Sequence, residues 1–354
     1  MRALVVQPLT QRTSASPGSA TDGADAVAPT SQLIYTDVPE APLAAGECRV
    51  AVRLAGICRT DIELCQGYAG FAGIPGHEFV GTVRAGAPAL IGQRVVGEIN
   101  VGCGDCPSCL GGLERHCPRR TALGIRGRAG AFADSLDLPA RNLLPVPREL
   151  PDEIAVFCEP LAAALAIFEQ VPATAGMRAL VLGDGKLGLL VSQVCAGRGL
   201  LTTLRGRHPG KLALAERWGV KTELATPGDA TIPRGEPYPL VIECAGSPLA
   251  LSQALSETAP RGALVLKSTY AKSAGGPAAH IDWSRVVVDE IRIVGSRCGR
   301  FAPALELLAN GAIEVTSLIE TCLPLSQGVA GFAQARRPGA LKVLLRPDAA
   351  GSHL

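Results

Sequence analysis

The chain changes its hydrophobic rhythm once, near its middle. From Gly46 onward, Cys48, Val50, Val52 and Leu54 alternate with polar or small residues, the period of two expected of a half-buried strand. Residues 1–6 predict another strand. Residues 10–31 are rich in Ser, Thr, Ala, Gly and Pro without periodicity, which predicts a surface loop. Short strand patterns and Gly/Pro turns continue to about Pro147, so this part reads as a mainly β domain. Residues 151–171 then carry apolar positions at helical spacing, with Leu161, Leu165 and Phe168 on one face. The apolar run 179–182 predicts a buried strand, followed by a helix through Ala196. Strand patterns at 201–204, 239–244 and 263–266 alternate with helical patterns at 211–218 and 249–256. Such alternation implies βαβ units and a parallel sheet. Residues 301–310 read as a helix and 341–345 as a last strand. There is no internal repeat.

Composition narrows the class without naming it. The 354 residues suffice for two domains of ordinary size, and 47% apolar content supports substantial cores. A net charge of +2 gives no electrostatic case for nucleic acid or a membrane surface. The most apolar stretch, 179–204, is interrupted by Asp184 and Lys186, and the start has no long apolar segment of a secretory signal. The expectation is a soluble, cytoplasmic protein, in which clustered cysteines favour metal over disulfides.

Of the 12 cysteines, Cys103, Cys106, Cys109 and Cys117 fall within 15 residues. Four thiolates at short spacing can surround one ion tetrahedrally, with Zn2+ the usual occupant. A closed four-sulfur site holds a loop and leaves no position for chemistry. Paired disulfides are the other reading of the spacing. An iron–sulfur electron carrier is a competing function, because Cys117 precedes Pro118, although the last gap is longer than in the bacterial ferredoxin run.

Gly183, Gly185 and Gly188 form G-x-G-x-x-G directly after a predicted strand and at the opening of a helix, with Lys186 and Leu187 inside it. In that context the pattern predicts a dinucleotide pyrophosphate site at a helix N-terminus. An unliganded tight turn is the plain alternative. The next strand ends without a carboxylate and runs into Arg205, Arg207, His208 and Lys211. An adenosine 2′-phosphate would suit Arg207, with Arg205 or Lys211 assisting, so NADP is expected over NAD. A solvated basic turn with NAD bound is the alternative.

Three further motifs occur in order: Gly56 to Asp61 with Cys58 and Thr60, Gly76-His77-Glu78 running to Gly81, and Phe157-Cys158-Glu159-Pro160. Together with the cysteine cluster and the glycine turn, they resemble the zinc-containing medium-chain alcohol dehydrogenase family, in its polyol, threonine and sugar dehydrogenase-like branch. The resemblance spans nearly the whole chain outside 10–31. It implies an α/β protein: a GroES-like, mainly β catalytic domain (1–155, with the zinc lobe 103–117), a Rossmann doubly wound parallel-sheet domain (156–296), and a return to the catalytic domain (297–354). It further implies catalytic zinc on Cys58, His77 and Glu159, with Glu78 in or beside the ligand set and Cys158 a weaker competitor. Two zinc ions per chain follow, one of them structural. Thr60 is placed to relay a proton, Asp61 to orient a histidine ligand, and Arg59, Arg297 and Lys342 to meet the cofactor. A small alcohol or carbonyl substrate and a homodimer or homotetramer are expected. One departure is Glu63, where many members end the proton relay with His. Another is Lys267, followed by Ser268 and Thr269, where the family has a small apolar run. An NADP-binding regulatory protein without catalysis is the remaining alternative.

Overall fold

A computed structural model describes residues 1–9, 31–225, 235–269 and 281–348. The loop expected at 10–31 lies outside the described residues except for Ser31. The chain divides into two compact units: residues 1–146 with 321–337 and 342–354, and residues 147–320 with 338–341. These units divide at 146/147 and 320/321, where the sequence reading drew 155/156 and 296/297, with 338–341 joining the second unit. The helix Phe301–Ala309 belongs with Cys158–Leu165, against which it packs.

The first unit is built on a seven-stranded sheet in which Lys342–Arg346, Glu47–Gly56, Glu78–Ala85, Arg94–Gly97 and Leu143–Pro145 are successive antiparallel neighbours. The alternation read at 48–54 appears as burial of Cys48, Val50, Val52 and Leu54 on one face. Arg2–Pro8 pairs with Ser31–Asp37, a strand the sequence reading missed; Leu4 stands opposite Tyr35. A short ribbon, Asn100–Val101 with Thr121–Ala122, closes the base of the cysteine lobe.

The second unit carries a six-stranded parallel sheet in the order Lys221–Leu224, Leu201–Gly206, Arg178–Leu182, Tyr238–Glu243, Thr258–Leu266, Arg292–Gly295. Numbered along the chain this is 3-2-1-4-5-6, the doubly wound dinucleotide-binding order. Leu180, Val241 and Leu264 from three neighbouring strands pack with Leu251 and Leu255 of the helix Pro248–Glu257. Burial on both faces explains why these strands read as continuous apolar runs. The single helical pattern at 151–171 is three pieces, Asp152–Ala155, Cys158–Leu165 and Ile167–Gln170. Pro160 lies in the first turn of the middle piece, where a missing N–H costs nothing because helix openings leave those donors unpaired.

Candidate metal centres and cofactor turn

The four lobe cysteines converge. Cys103 Sγ lies 3.8 Å from Cys109 Sγ and 3.5 Å from Cys117 Sγ, and Cys106 Sγ lies 3.7 Å from Cys117 Sγ. A tetrahedron with metal–sulfur bonds of about 2.3 Å has edges of about 3.8 Å, so the donors fit one zinc ion. All four are free thiols, which removes the disulfide reading. The Cys103 N–H donates to Cys117 Sγ at 3.5 Å and pulls that thiol down to about 6, favouring the thiolate a metal needs.

A second group forms where the strand Glu47–Gly56 turns into the helix Arg59–Leu64 and the strand Glu78–Ala85 begins. Donor atoms of Cys58, His77 and Glu78 lie within 4.8 Å of one another. Asp61 organises this corner. It sits in the first helical turn, and its Oδ2 accepts from the Cys58 N–H at 2.8 Å while Oδ1 accepts from the Gly76 N–H at 3.1 Å. His77 Nδ1 lies 3.2 Å from Asp61 Oδ1 without hydrogen-bond alignment, and that buried nitrogen has no hydrogen-bond partner. Burial opposes a charged imidazole, yet Asp61 and then Cys58 outweigh it and hold the His77 pKa well above its usual value. A thiolate, an imidazole and a carboxylate gathered around an under-satisfied nitrogen suit zinc. Asp61, expected from the resemblance to orient a histidine ligand, stands beside His77.

Glu78 is also committed elsewhere. Lys342 Nζ donates to its two oxygens at 2.7 and 2.5 Å, with both side chains almost fully buried. Lys342 was expected to meet the cofactor; its ammonium instead balances the carboxylate beside the metal group. Glu159 is buried in the second unit, in the first turn of Cys158–Leu165, and is absent from the clustered donors of the first. Cys158 donates its S–H to the Phe301 carbonyl at 3.5 Å, consistent with a packing role. Thr60 is half-buried on Arg59–Leu64, and Arg59 is exposed and paired with Glu63 at 3.3 Å.

In the second unit, Gly183 through Gly188 form the tight turn from the strand Arg178–Leu182 into the helix Lys186–Gly197. A Cβ on Gly188 would collide with the Gly183 carbonyl, so the helix can approach the strand this closely only with glycine there. Lys186 and Leu187 are half-buried in its first turn. Of Arg205, Arg207 and Lys211, the basic residues expected at the 2′-phosphate, only Arg207 is exposed. Arg205 is buried, its guanidinium paired with Glu257 and, at 2.8 Å, with Glu223. Burial opposes its charge, but the two carboxylates prevail and raise its pKa. Lys211 is buried and donates to the Ala340 carbonyl at 3.3 Å. The parallel strand turns Arg205 inward, and these two contacts replace the expected phosphate contacts. Arg297 is exposed, and its carbonyl accepts from Lys267 Nζ at 2.9 Å. Lys267 also donates to the Ala163 carbonyl at 2.7 Å, so this departure from the family ties a strand end to a helix. Two features escaped the sequence reading: the Glu78–Lys342 pair, and Asp184, whose carboxylate holds His208. Asp184 had a sequence signal, an acidic residue inside the glycine turn.

Two family descriptions match: the alcohol dehydrogenase GroES-like domain over residues 44–148, and zinc-binding dehydrogenase over residues 187–310. A protein of Mycobacterium tuberculosis named probable alcohol dehydrogenase is 31% identical over 309 residues, covering 78% of this chain and 84% of its own length. The chain belongs to the zinc-containing medium-chain alcohol dehydrogenase family. An L-threonine 3-dehydrogenase of Chelativorans is 29% identical over 334 residues, 87% of this chain and 93% of that protein. A solved zinc-binding dehydrogenase from Sinorhizobium meliloti, bound to NADP, superposes with a TM-score of 0.79 at 29% identity, covering 90% of this chain and 96% of that one. Family membership leaves no basis for the iron–sulfur carrier. Among the described residues, no helix is long and apolar enough to cross a membrane.

Proposed function

We propose that this dehydrogenase transfers hydride between a secondary alcohol, polyol or sugar-like substrate and NADP(H), with one catalytic and one structural zinc per chain. The gathering of Cys58, His77 and Glu78 beside Asp61 carries the reading. Cys58 and His77 hold the catalytic ion, and Glu78 stands in or beside the ligand set. Cys103, Cys106, Cys109 and Cys117 hold the structural ion. When bound, zinc supplies Lewis-acid polarisation of the substrate oxygen and the nicotinamide supplies the hydride site. The chain does the rest. Asp61 fixes the Cys58 backbone and sets its charge beside the His77 ring. Thr60 Oγ1 passes the alcohol proton outward, toward Glu63 or solvent. The turn 183–188 takes the pyrophosphate, and Arg207 takes the 2′-phosphate.

The test is a cofactor-reduction screen over alcohols, polyols and sugars with NADP and NAD, alongside metal analysis. About two zinc ions per chain and a higher kcat/KM with NADP are expected. An NAD preference above about tenfold would overturn the cofactor assignment. Unchanged turnover in Cys58→Ser would overturn the zinc assignment.

A further inference from the structure

In a doubly wound fold the adenosine ribose is read at the end of the second strand of the sheet. Here that strand, Leu201–Gly206, ends on a residue with no side chain. The space is filled from another direction. A Cβ on Gly206 would stand 2.5 Å from Cγ and 2.6 Å from Oδ2 of Asp184, which projects from inside the glycine turn. Asp184 thus occupies the volume a strand-end carboxylate would need.

Its carboxylate is turned away from solvent, at 6% exposure, and toward His208. The His208 backbone N–H donates to Oδ2 at 2.7 Å. The ring Nδ1 lies 3.0 Å from Oδ2 and 3.1 Å from Oδ1. A carboxylate at Nδ1 selects the tautomer with hydrogen there. The ring edge is backed by Gly339, where a Cβ would come within 3.8 Å of Nε2. His208 is one-third exposed and follows Arg207, the exposed cation of the turn. Arg205 and Lys211 are held elsewhere, as described above.

We infer that Asp184 is a positioning residue for a 2′-phosphate clamp. It sets the His208 ring so that Nε2 stands beside the Arg207 guanidinium to meet the adenosine 2′-phosphate. The inference rests on the NADP(H) reading. The opposite role is chemically available to the same carboxylate: accepting a ribose 2′-hydroxyl and repelling a 2′-phosphate. The burial of Asp184 and the engagement of both its oxygens by His208 favour the clamp.

The two roles move one number in opposite directions. Calorimetry on the full chain gives Kd for adenosine 2′,5′-bisphosphate and for adenosine 5′-monophosphate, probes that need neither zinc nor substrate. The wild type is expected to bind the bisphosphate about tenfold tighter or better. Asp184→Asn and His208→Ala should each shrink that ratio by roughly fivefold, and the double variant should shrink it little further, because Asp184 acts through His208. A merely structural role would weaken both ligands together and leave the ratio alone, and that result overturns the proposal. A ratio that rises in Asp184→Asn overturns it in favour of ribose recognition. A wild type without preference for the bisphosphate refutes the NADP(H) reading itself and the clamp with it. Preference retained in the wild type and unchanged in the variants refutes the clamp alone.

Discussion

Replacing Lys342 with Met should expose how the metal corner is balanced. Lys342 and Glu78 are each at most 2% exposed, and the ammonium spans both carboxylate oxygens. Lys342 Nζ also lies 3.4 Å from the Ile57 carbonyl, one residue before Cys58. A Cβ on Gly56 would collide with Glu78 Oε2, so the carboxylate has no room to swing toward that strand. Methionine keeps most of the volume and removes the charge. Breaking a buried pair from one side costs about 3–5 kcal/mol, since the remaining charge keeps its desolvation penalty. For a unit of this size that is a fall in Tm of about 6–20 °C.

The cost should depend on metal. Glu78 belongs to the same donor group as Cys58 and His77, so a zinc ion held there offers the orphaned carboxylate a second positive partner. Lys342→Met should therefore lose more stability in chelator-treated protein than in zinc-loaded protein. Glu78→Gln/Lys342→Met, which removes both charges, should recover at least half of the metal-free loss. The assay is urea unfolding of the metal-free and zinc-loaded forms, followed by circular dichroism. A loss below about 1 kcal/mol in the metal-free single variant, with no recovery in the double, would refute the reasoning, because exposed pairs behave that way.

Two further outcomes follow from the same geometry. Cys106→Ser should release one zinc per chain and lower Tm while the Cys58 site keeps its ion; a folded variant with both ions retained would contradict the four-sulfur assignment. Arg205→Met should destabilise the second unit by about 3–5 kcal/mol by stranding Glu257. It should leave the ratio of kcat/KM for NADP and NAD unchanged, and a selective loss of NADP activity would return Arg205 to the phosphate site.

What the sequence disclosed was chemistry carried by short spacing or by an unmistakable period. The lobe cysteines are neighbours along the chain, so their convergence follows from one loop closing on itself. The glycine turn is readable because strand, turn and helix are contiguous. Cys58 and His77 stand 19 positions apart, and only the family resemblance joined them. Ion pairing defeated the reading most thoroughly. Arg205 and Lys342 looked like anion-binding cations because a sequence shows charge without showing the carboxylate opposite. Glu257 is 52 positions from Arg205, and Glu78 is 264 positions from Lys342.

The cofactor turn carries the same lesson one step further. At the strand end the sequence offers a glycine followed by basic residues, which reads as the absence of a carboxylate. The fold supplies one from 22 positions earlier and sets its atoms where a side chain of Gly206 would stand. An acidic group is therefore present at the ribose-reading end of the strand, and local charge counting alone cannot predict the preferred cofactor. The deciding quantity is what the carboxylate faces. Both of its oxygens are turned to His208, so it is the imidazole and not the carboxylate that this turn presents. On the clamp proposed above, a carboxylate at this strand end supports a phosphate contact instead of a ribose hydroxyl contact.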